Sequence, residues 1–174
     1  MSTLTYRHVG STRREDLLRH PPAGFRPIER TVTLGRGAAL FERAGAEAVT
    51  FGIQRRSGLH PVSAPGLADG REPLRKGDLG ILRLGLLRLP LEVVDVVDEP
   101  RRRGFAYGTR RGHPESGEEL FLVEHRRDDS VVLVIRAFSR PAHPLLWLGY
   151  PLLRALQELY TRRYERALLP LAAV

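Results

Sequence analysis

The sequence contains no cysteine among its 174 residues. A chain without cysteine forms no disulfide, no thiolate metal site and no cysteine nucleophile. This fits a reducing compartment, and we expect a cytoplasmic protein. No apolar run reaches the roughly 20 residues that span a bilayer, because the stretch near 144–156 is interrupted by Gly149, Pro151 and Arg154. The polar N-terminus lacks the apolar segment of a signal peptide, so we predict neither a membrane span nor a leader.

Lysine is almost absent, and Lys76 is its one occurrence. The net charge of +8 therefore comes from arginine. A basic balance raises the hypothesis of nucleic-acid binding. However, the arginines are scattered in pairs among acids, and a codon bias in a GC-rich genome would give the same composition. We do not expect nucleic acid as a partner, and an arginine-rich surface that binds an acidic partner remains an alternative.

Familiar catalytic and cofactor motifs are missing. The sequence has no G-x-x-x-x-G-K-[ST] or G-x-G-x-x-G phosphate loop and no G-x-S-x-G elbow. Its histidines show no ligand spacing such as H-E-x-x-H. They are His8, His20, His60, His113, His125 and His143. We therefore predict no metal and no cofactor.

The length fits one domain with a buried core, which we assign to residues 1–174. Within it we expect an N-terminal extension over 1–27, with a short helix that starts at the capping-box spacing of 12–15. Residues 57–78 are rich in Gly, Pro, Ser and Asp. They predict a long loop, with room for a short strand at 59–63.

Alternating and β-branched residues predict strands through most of the remaining chain. The first strand covers 28–34, and a helical pattern then runs from Ala38 to Phe51. Five further strands are predicted at 79–87, 91–97, 104–109, 119–126 and 131–139. The turn between the first two of these is placed at 88–90. The connections are too short for helical crossovers, so the pairing is antiparallel.

The C-terminal segment predicts a long amphipathic helix. Pro144 suits the first turn of a short piece and Pro151 that of the main piece. An apolar stripe follows from Leu152 to Leu168, with charged residues opposite. One sheet cannot bury its apolar face alone. We therefore expect an α+β fold in which a curved antiparallel sheet wraps around this helix and leaves a cavity between them.

Several segments resemble a known family. They are Tyr6 with Val9 and Gly10, 35–37 followed by Phe41 and Glu42, 104–109, 112–119, 138–143 and 148–151. On these segments the chain resembles uncharacterised protein family 0548, whose bacterial and plant members have no assigned activity. Its topology resembles the helix-grip fold of the Bet v 1-like or START-like superfamily. The resemblance implies an apolar ligand pocket, but that fold serves carriers, cyclases and receptors, so it does not choose a function.

The segment 112–119 is the first candidate site. It holds one imidazole and three carboxylates, namely His113, Glu115, Glu118 and Glu119. We take His113, Glu115 and Glu118 as candidate catalytic groups, since burial would raise a carboxyl pKa into the range of acid/base chemistry. The same oxygens suit a hard cation. The alternative is a structured loop whose acids pair with Arg110 and Arg111.

A second group of candidates would contact a ligand. These are Tyr107, Arg136, Arg140, His143 and Tyr150. Arg136 lies on an otherwise apolar strand, so it either points inward, to Glu119, Glu124 or an anionic ligand group, or outward to water. The sequence does not fix that register. Tyrosines such as Tyr107 would give an apolar wall with a polar tip.

Three functions follow from these observations. The leading expectation is a binding protein for a small apolar or amphipathic molecule between sheet and helix. The first alternative is a small cyclase or isomerase that uses His113 with Glu115 or Glu118 as acid and base. The second alternative is an interaction module with an arginine-rich surface. The oligomeric state and the ligand's identity do not follow from the sequence.

Overall fold

The computed structural model describes residues 4–62, 72–143 and 149–173. These residues form seven strands and three helices. The strands are β1 (Arg26–Arg36), β2 (His60–Val62), β3 (Leu79–Leu84), β4 (Leu87–Glu99), β5 (Arg102–Thr109), β6 (Glu115–His125) and β7 (Ser130–Pro141). The helices are α1 (Ala38–Ala48), α2 (Gly52–Arg56) and α3 (Tyr150–Ala167). Short 3₁₀ helices cover Ser11–Arg13 and Leu169–Ala173.

The strands form one antiparallel sheet in the order β1-β7-β6-β5-β4-β3-β2. Consecutive strands from β2 to β7 are neighbours, whereas β1 pairs with β7 and is connected through α1 and α2 to β2 at the opposite edge. The sheet is curved, and α3 lies across its concave face. This confirms the predicted α+β fold of a curved antiparallel sheet with a C-terminal helix.

The main core lies between the concave face and the helices. Alternation along the strands places Phe105 and Phe121 on that face. The Phe121 ring meets Tyr164 of α3 edge to face, with ring centroids 4.9 Å apart. Helices α1 and α2 cover the same face beside α3, where Phe41 of α1 and Phe51, the residue before α2, join the core. This burial fixes the position of α3 over the sheet.

Two predicted boundaries differ from the structure. The turn between β3 and β4 lies at Gly85 and Leu86 instead of 88–90, because Gly85 takes the left-handed φ of 57° that the turn needs. Pro90 lies inside β4, where its carbonyl accepts a hydrogen bond from Arg110 beyond the end of β5. The helix predicted to reach Phe51 ends at Ala48, and α2 follows separately.

Other predicted elements are shorter than expected. The N-terminal helix is one 3₁₀ turn over Ser11–Arg13. The 57–78 loop contains the short strand β2, but residues 63–71 lie outside the described residues. The short helical piece predicted at Pro144 also lies outside them. Within the described ranges, no helix has both the length and the apolar character needed to cross a membrane.

The N-terminal segment covers part of the convex face of the sheet. Tyr6 and Leu17 pack there against Phe138 of β7. Glu118 of β6 is buried beneath the segment, and its carboxylate accepts four hydrogen bonds. The donors are the Tyr6 hydroxyl at 2.6 Å, the Gly10 amide at 2.8 Å, the Thr12 amide at 3.0 Å and the Thr12 hydroxyl at 2.5 Å. The Glu118 carboxylate thus joins three residues of the segment to the sheet.

We expect Glu118→Ala to lower the free energy of unfolding by about 3–5 kcal/mol, because it leaves several buried donors without an acceptor. Urea unfolding measures the change. Glu15→Ala, an exposed change on the same segment, is the control and should cost less than about 0.5 kcal/mol. Equal stability of the two variants would show that the carboxylate does not hold the segment.

Candidate functional site

A cavity of about 110 Å³ lies between the sheet and α3. Leucines of the β3–β4 hairpin and of α3 form apolar walls, including Leu84, Leu89, Leu153 and Leu156. The sheet supplies a polar floor. It contains Tyr107, Thr109, His113, Glu115, Gly117, Glu119, Ala137 and Ser139. An apolar chamber with a few polar groups on one side is typical of a small-molecule site.

One row of the floor runs across three central strands. Tyr107, Glu119 and Ala137 are direct partners in the register of β5, β6 and β7. Cross-strand partners face the same side of a sheet, and the Tyr107 hydroxyl donates a hydrogen bond of 2.6 Å to Oε2 of Glu119. Small Ala137 leaves open space beside this pair.

The next row places a second carboxylate. Gly117 pairs with Ser139, and the Ser139 hydroxyl lies 3.3 Å from Oε1 of Glu115. Gln157 of α3 donates to the same hydroxyl at 2.9 Å, which links helix and floor. A Cβ at Gly117 would lie 2.0 Å from the Phe138 carbonyl oxygen, so this close approach of strands requires glycine. The floor between Glu115 and Glu119 therefore carries no side chain.

Both carboxyl groups on the floor are hard to ionise. Burial raises the pKa of Glu115 to about 7, against the opposing effects of the Ser139 hydrogen bond and the Arg26 charge. Burial also raises the pKa of Glu119 to about 7. The Tyr107 hydrogen bond opposes that rise, and the Glu115 charge adds to it. Among the described residues neither carboxylate forms an ion pair.

His113 borders the same floor as a neutral ring. Its Nδ1 lies 3.0 Å from both the amide nitrogen and the carbonyl oxygen of Glu115, so the backbone fixes the ring. Burial lowers the pKa of His113 to about 4, against the opposing effect of its backbone hydrogen bond. The imidazole is uncharged at neutral pH and adds no positive charge to the cavity.

The structure brings some of the predicted residues together and separates others. Tyr107, His113 and Glu115 line the cavity, and Glu118 also borders it although its carboxylate lies on the other side of the sheet. The Glu118 side chain points to the convex face, where groups of the N-terminal segment donate hydrogen bonds to its oxygens. This corrects the expectation that Glu118 shares an acid/base site with His113, since adjacent strand residues face opposite sides.

Arg136 and Arg140 also differ from the expectation. On β7 the cavity side belongs to Ala137 and Ser139, so the even-numbered neighbours face away. Arg136 donates to Glu29 of β1 at 2.8 Å, instead of to Glu119 or Glu124. The Arg140 guanidinium lies 4.6 Å from the centre of the Phe25 ring. Neither arginine reaches the cavity.

The last two predicted residues lie near the end of β7 and the start of α3. His143 is exposed just after β7 and is not among the cavity residues. Tyr150 is the first residue of α3, and its side chain lies outside what the structure describes. In the described parts of the chain, no group of three or more His, Asp or Glu side chains is placed to hold a metal.

Sequence reasoning missed several residues of the cavity. Glu119 lies in the 112–119 segment but is not among the candidate catalytic groups, although it lies on the same face of β6 as Glu115. Tyr160 and Tyr164 are spaced i, i+4 on the apolar stripe of α3, and that spacing is the signal that could have placed them on the cavity side. Burial and the Glu119 charge raise the pKa of Tyr164, so its hydroxyl stays protonated.

A curved antiparallel sheet that holds a C-terminal helix over a cavity defines a helix-grip α+β protein. Two solved structures share this fold at low sequence identity. A hypothetical protein, jhp0584 of Helicobacter pylori, matches with a TM-score of 0.62 and 12% identity over 99% of this chain and 97% of its own. Norcoclaurine synthase of Thalictrum flavum matches with a TM-score of 0.51 and 10% identity over 84% and 87%.

The chain belongs to the family described as domain of unknown function DUF1990, whose model matches residues 5–167. A UPF0548 protein of Deinococcus radiodurans is 35% identical over 145 residues, which cover 79% of this chain and 73% of that protein. The resemblance to uncharacterised protein family 0548 seen in the sequence is thereby confirmed.

The raised carboxyl pKa values give a stability prediction. Between about pH 4.5 and 7 the unfolded chain ionises Glu119 while the folded chain keeps it protonated, so this group's contribution to stability falls as pH rises. We expect Glu119→Gln to raise the free energy of unfolding at pH 8 by about 2–3 kcal/mol and to change it little at pH 4.5. Urea unfolding at both pH values measures this. A gain of equal size at both values would show that ionisation is not its cause.

Proposed function

We propose that this protein binds a small amphipathic molecule in the cavity between the sheet and α3. The observation that carries the proposal is the division of the cavity into leucine walls and a polar floor. An apolar group of the ligand would lie against Leu84, Leu89 and Leu156. Its polar end would face Glu119 and Glu115, which fix its orientation through hydrogen bonds.

The size of the cavity limits the ligand. A cavity of about 150 Å³ holds a benzene molecule, and this one measures about 110 Å³. A short branched chain with one polar group therefore fits, and a single ring with a polar substituent fits when α3 moves slightly outward. Larger amphiphiles would need a greater movement of α3, at the cost of its contacts with Phe121.

A second function is proton transfer on such a molecule. The specific observation in its favour is that burial raises the pKa of both Glu115 and Glu119 to about 7, where a carboxyl group serves as acid or base at neutral pH. Glu119, which is hydrogen-bonded to Tyr107, would have the acid/base role that the sequence analysis assigned to Glu118. Loss of turnover in Glu119→Gln with unchanged affinity for a neutral ligand would distinguish catalysis from binding alone.

Filling the cavity tests the proposed binding. We expect Ala137→Leu to lower the affinity for ligands of ring size at least tenfold, because the longer side chain occupies the space beside Tyr107 and Glu119. Native mass spectrometry of protein purified from its own host shows whether a small molecule is retained. The bound mass should be present in the wild-type protein and absent from Ala137→Leu.

The matched control is Ala46→Leu, which adds the same atoms at an exposed position of α1. It should retain the ligand like the wild-type protein. If neither the wild-type nor the control protein carries a bound molecule, and ring-sized probes fail to bind either of them, the cavity is not a binding site.

A further inference from the structure

The geometry points to a protonated amine as the polar end of the ligand, held above Gly117 between the carboxylates of Glu115 and Glu119. This inference rests on the proposed function and assigns the chemical class of the molecule that it binds. It follows from the hydrogen-bonding capacity, the spacing and the charges of the cavity floor.

The floor has more acceptor capacity than the protein uses. A carboxylate offers about four acceptor positions. Glu119 receives one hydrogen bond, from Tyr107, and Glu115 has one side-chain partner, Ser139. No other hydrogen bond of these carboxylates is found in the described part of the chain. A ligand that donates several hydrogen bonds complements this floor, and an ammonium group donates up to three.

The spacing of the two carboxylates leaves room for that group. Residues four apart on a strand lie on the same face, with Cα atoms about 13 Å apart. Glu115 and Glu119 occupy such positions on β6, and Gly117 between them carries no side chain. Glu115 reaches toward this gap, because its Oε1 lies 3.3 Å from the hydroxyl of Ser139, the partner of Gly117. The Glu115 charge also acts on Glu119. A nitrogen above Gly117 would lie between them, with its apolar substituent directed to the leucine walls.

The charges around the cavity disfavour the opposite kind of ligand. Arg136 and Arg140 are on the other face of the sheet, and burial keeps His113 neutral. Arg26 is near enough to lower the Glu115 pKa, yet it forms no ion pair with that carboxylate among the described contacts. A ligand carboxylate or phosphate would therefore meet like charge on the floor, where the described contacts pair no cation with either carboxylate.

Binding of an amine should depend on pH. The titratable and charged groups that face the two carboxyls from the surrounding elements are Tyr107, His113, Tyr160, Tyr164 and Arg26. Near neutral pH the two carboxyls change charge, while burial keeps His113 neutral and Tyr107 and Tyr164 protonated. The affinity for an amine should rise at least tenfold from pH 6 to pH 8, because the ionised fraction of a carboxyl with a pKa of about 7 rises about tenfold over that range.

Three probes of nearly equal shape test the inference. Benzylamine is a cation, benzyl alcohol is neutral and benzoate is an anion. We expect wild-type protein at pH 8 to bind benzylamine about tenfold or more tightly than benzyl alcohol, and to bind benzoate least, because a charge-assisted hydrogen bond exceeds a neutral one. Titrations followed by protein NMR give the three dissociation constants and show whether the cavity residues respond.

Variants identify the groups responsible. Glu115→Gln and Glu119→Gln should each weaken benzylamine about tenfold and leave benzyl alcohol within about threefold of wild type, because they remove charge at constant shape. Glu15→Gln makes the same change on the exposed N-terminal segment and should alter neither affinity. Ala137→Leu should weaken both probes.

The outcomes separate this inference from the proposed function. If benzyl alcohol binds in the cavity as tightly as benzylamine, or if neither glutamine variant weakens benzylamine, the amine assignment is overturned while the cavity remains a binding site. If none of the three probes binds wild-type protein, the proposed function is overturned together with it. A preference for benzylamine that disappears in both glutamine variants supports the assignment.

Discussion

The two faces of strand β6 contact different surroundings, and the organisation of the molecule depends on this difference. Its side chains alternate between the concave and the convex face. Glu118 and Glu119 are adjacent in sequence, yet one is buried under the N-terminal segment and the other forms the floor of a cavity. The protein supplies Glu118 with four donors and Glu119 with one. A carboxylate whose acceptor positions are occupied has a structural role. One with unoccupied acceptor positions can bind a ligand or exchange a proton.

The polar floor is also well connected to the rest of the fold. Thr109 donates through its hydroxyl to the Gly117 carbonyl and accepts from the Gly117 amide, while its own carbonyl accepts the Thr5 amide at 3.0 Å. The Ser116 hydroxyl donates to the Thr5 carbonyl at 2.9 Å. The strand ends that carry the cavity residues are thus braced by the N-terminal segment from behind. A rigid support of this kind keeps polar groups in a fixed arrangement.

Much of the fold was predictable because its elements have clear local patterns. Strand β1 has β-branched alternation, and α3 has a wide apolar stripe with Pro151 in its first turn. The faces of the central strands were not predictable. Val131–Ile135 of β7 are buried on both sides, so the sequence shows a continuous apolar run and does not reveal which way Arg136 points. On the convex side Val132 and Val134 lie in a second apolar cluster, against which Leu4 of the predicted 1–27 extension packs.

The two walls of the cavity differ in how firmly they are held. The sheet is hydrogen-bonded along seven strands and braced behind β6, while α3 is attached by side chains such as Tyr164 and Gln157. Its outer surface leaves Leu152 77% exposed. We therefore expect a ligand in the cavity to slow amide hydrogen exchange along α3 and to leave the protection of the central strands unchanged.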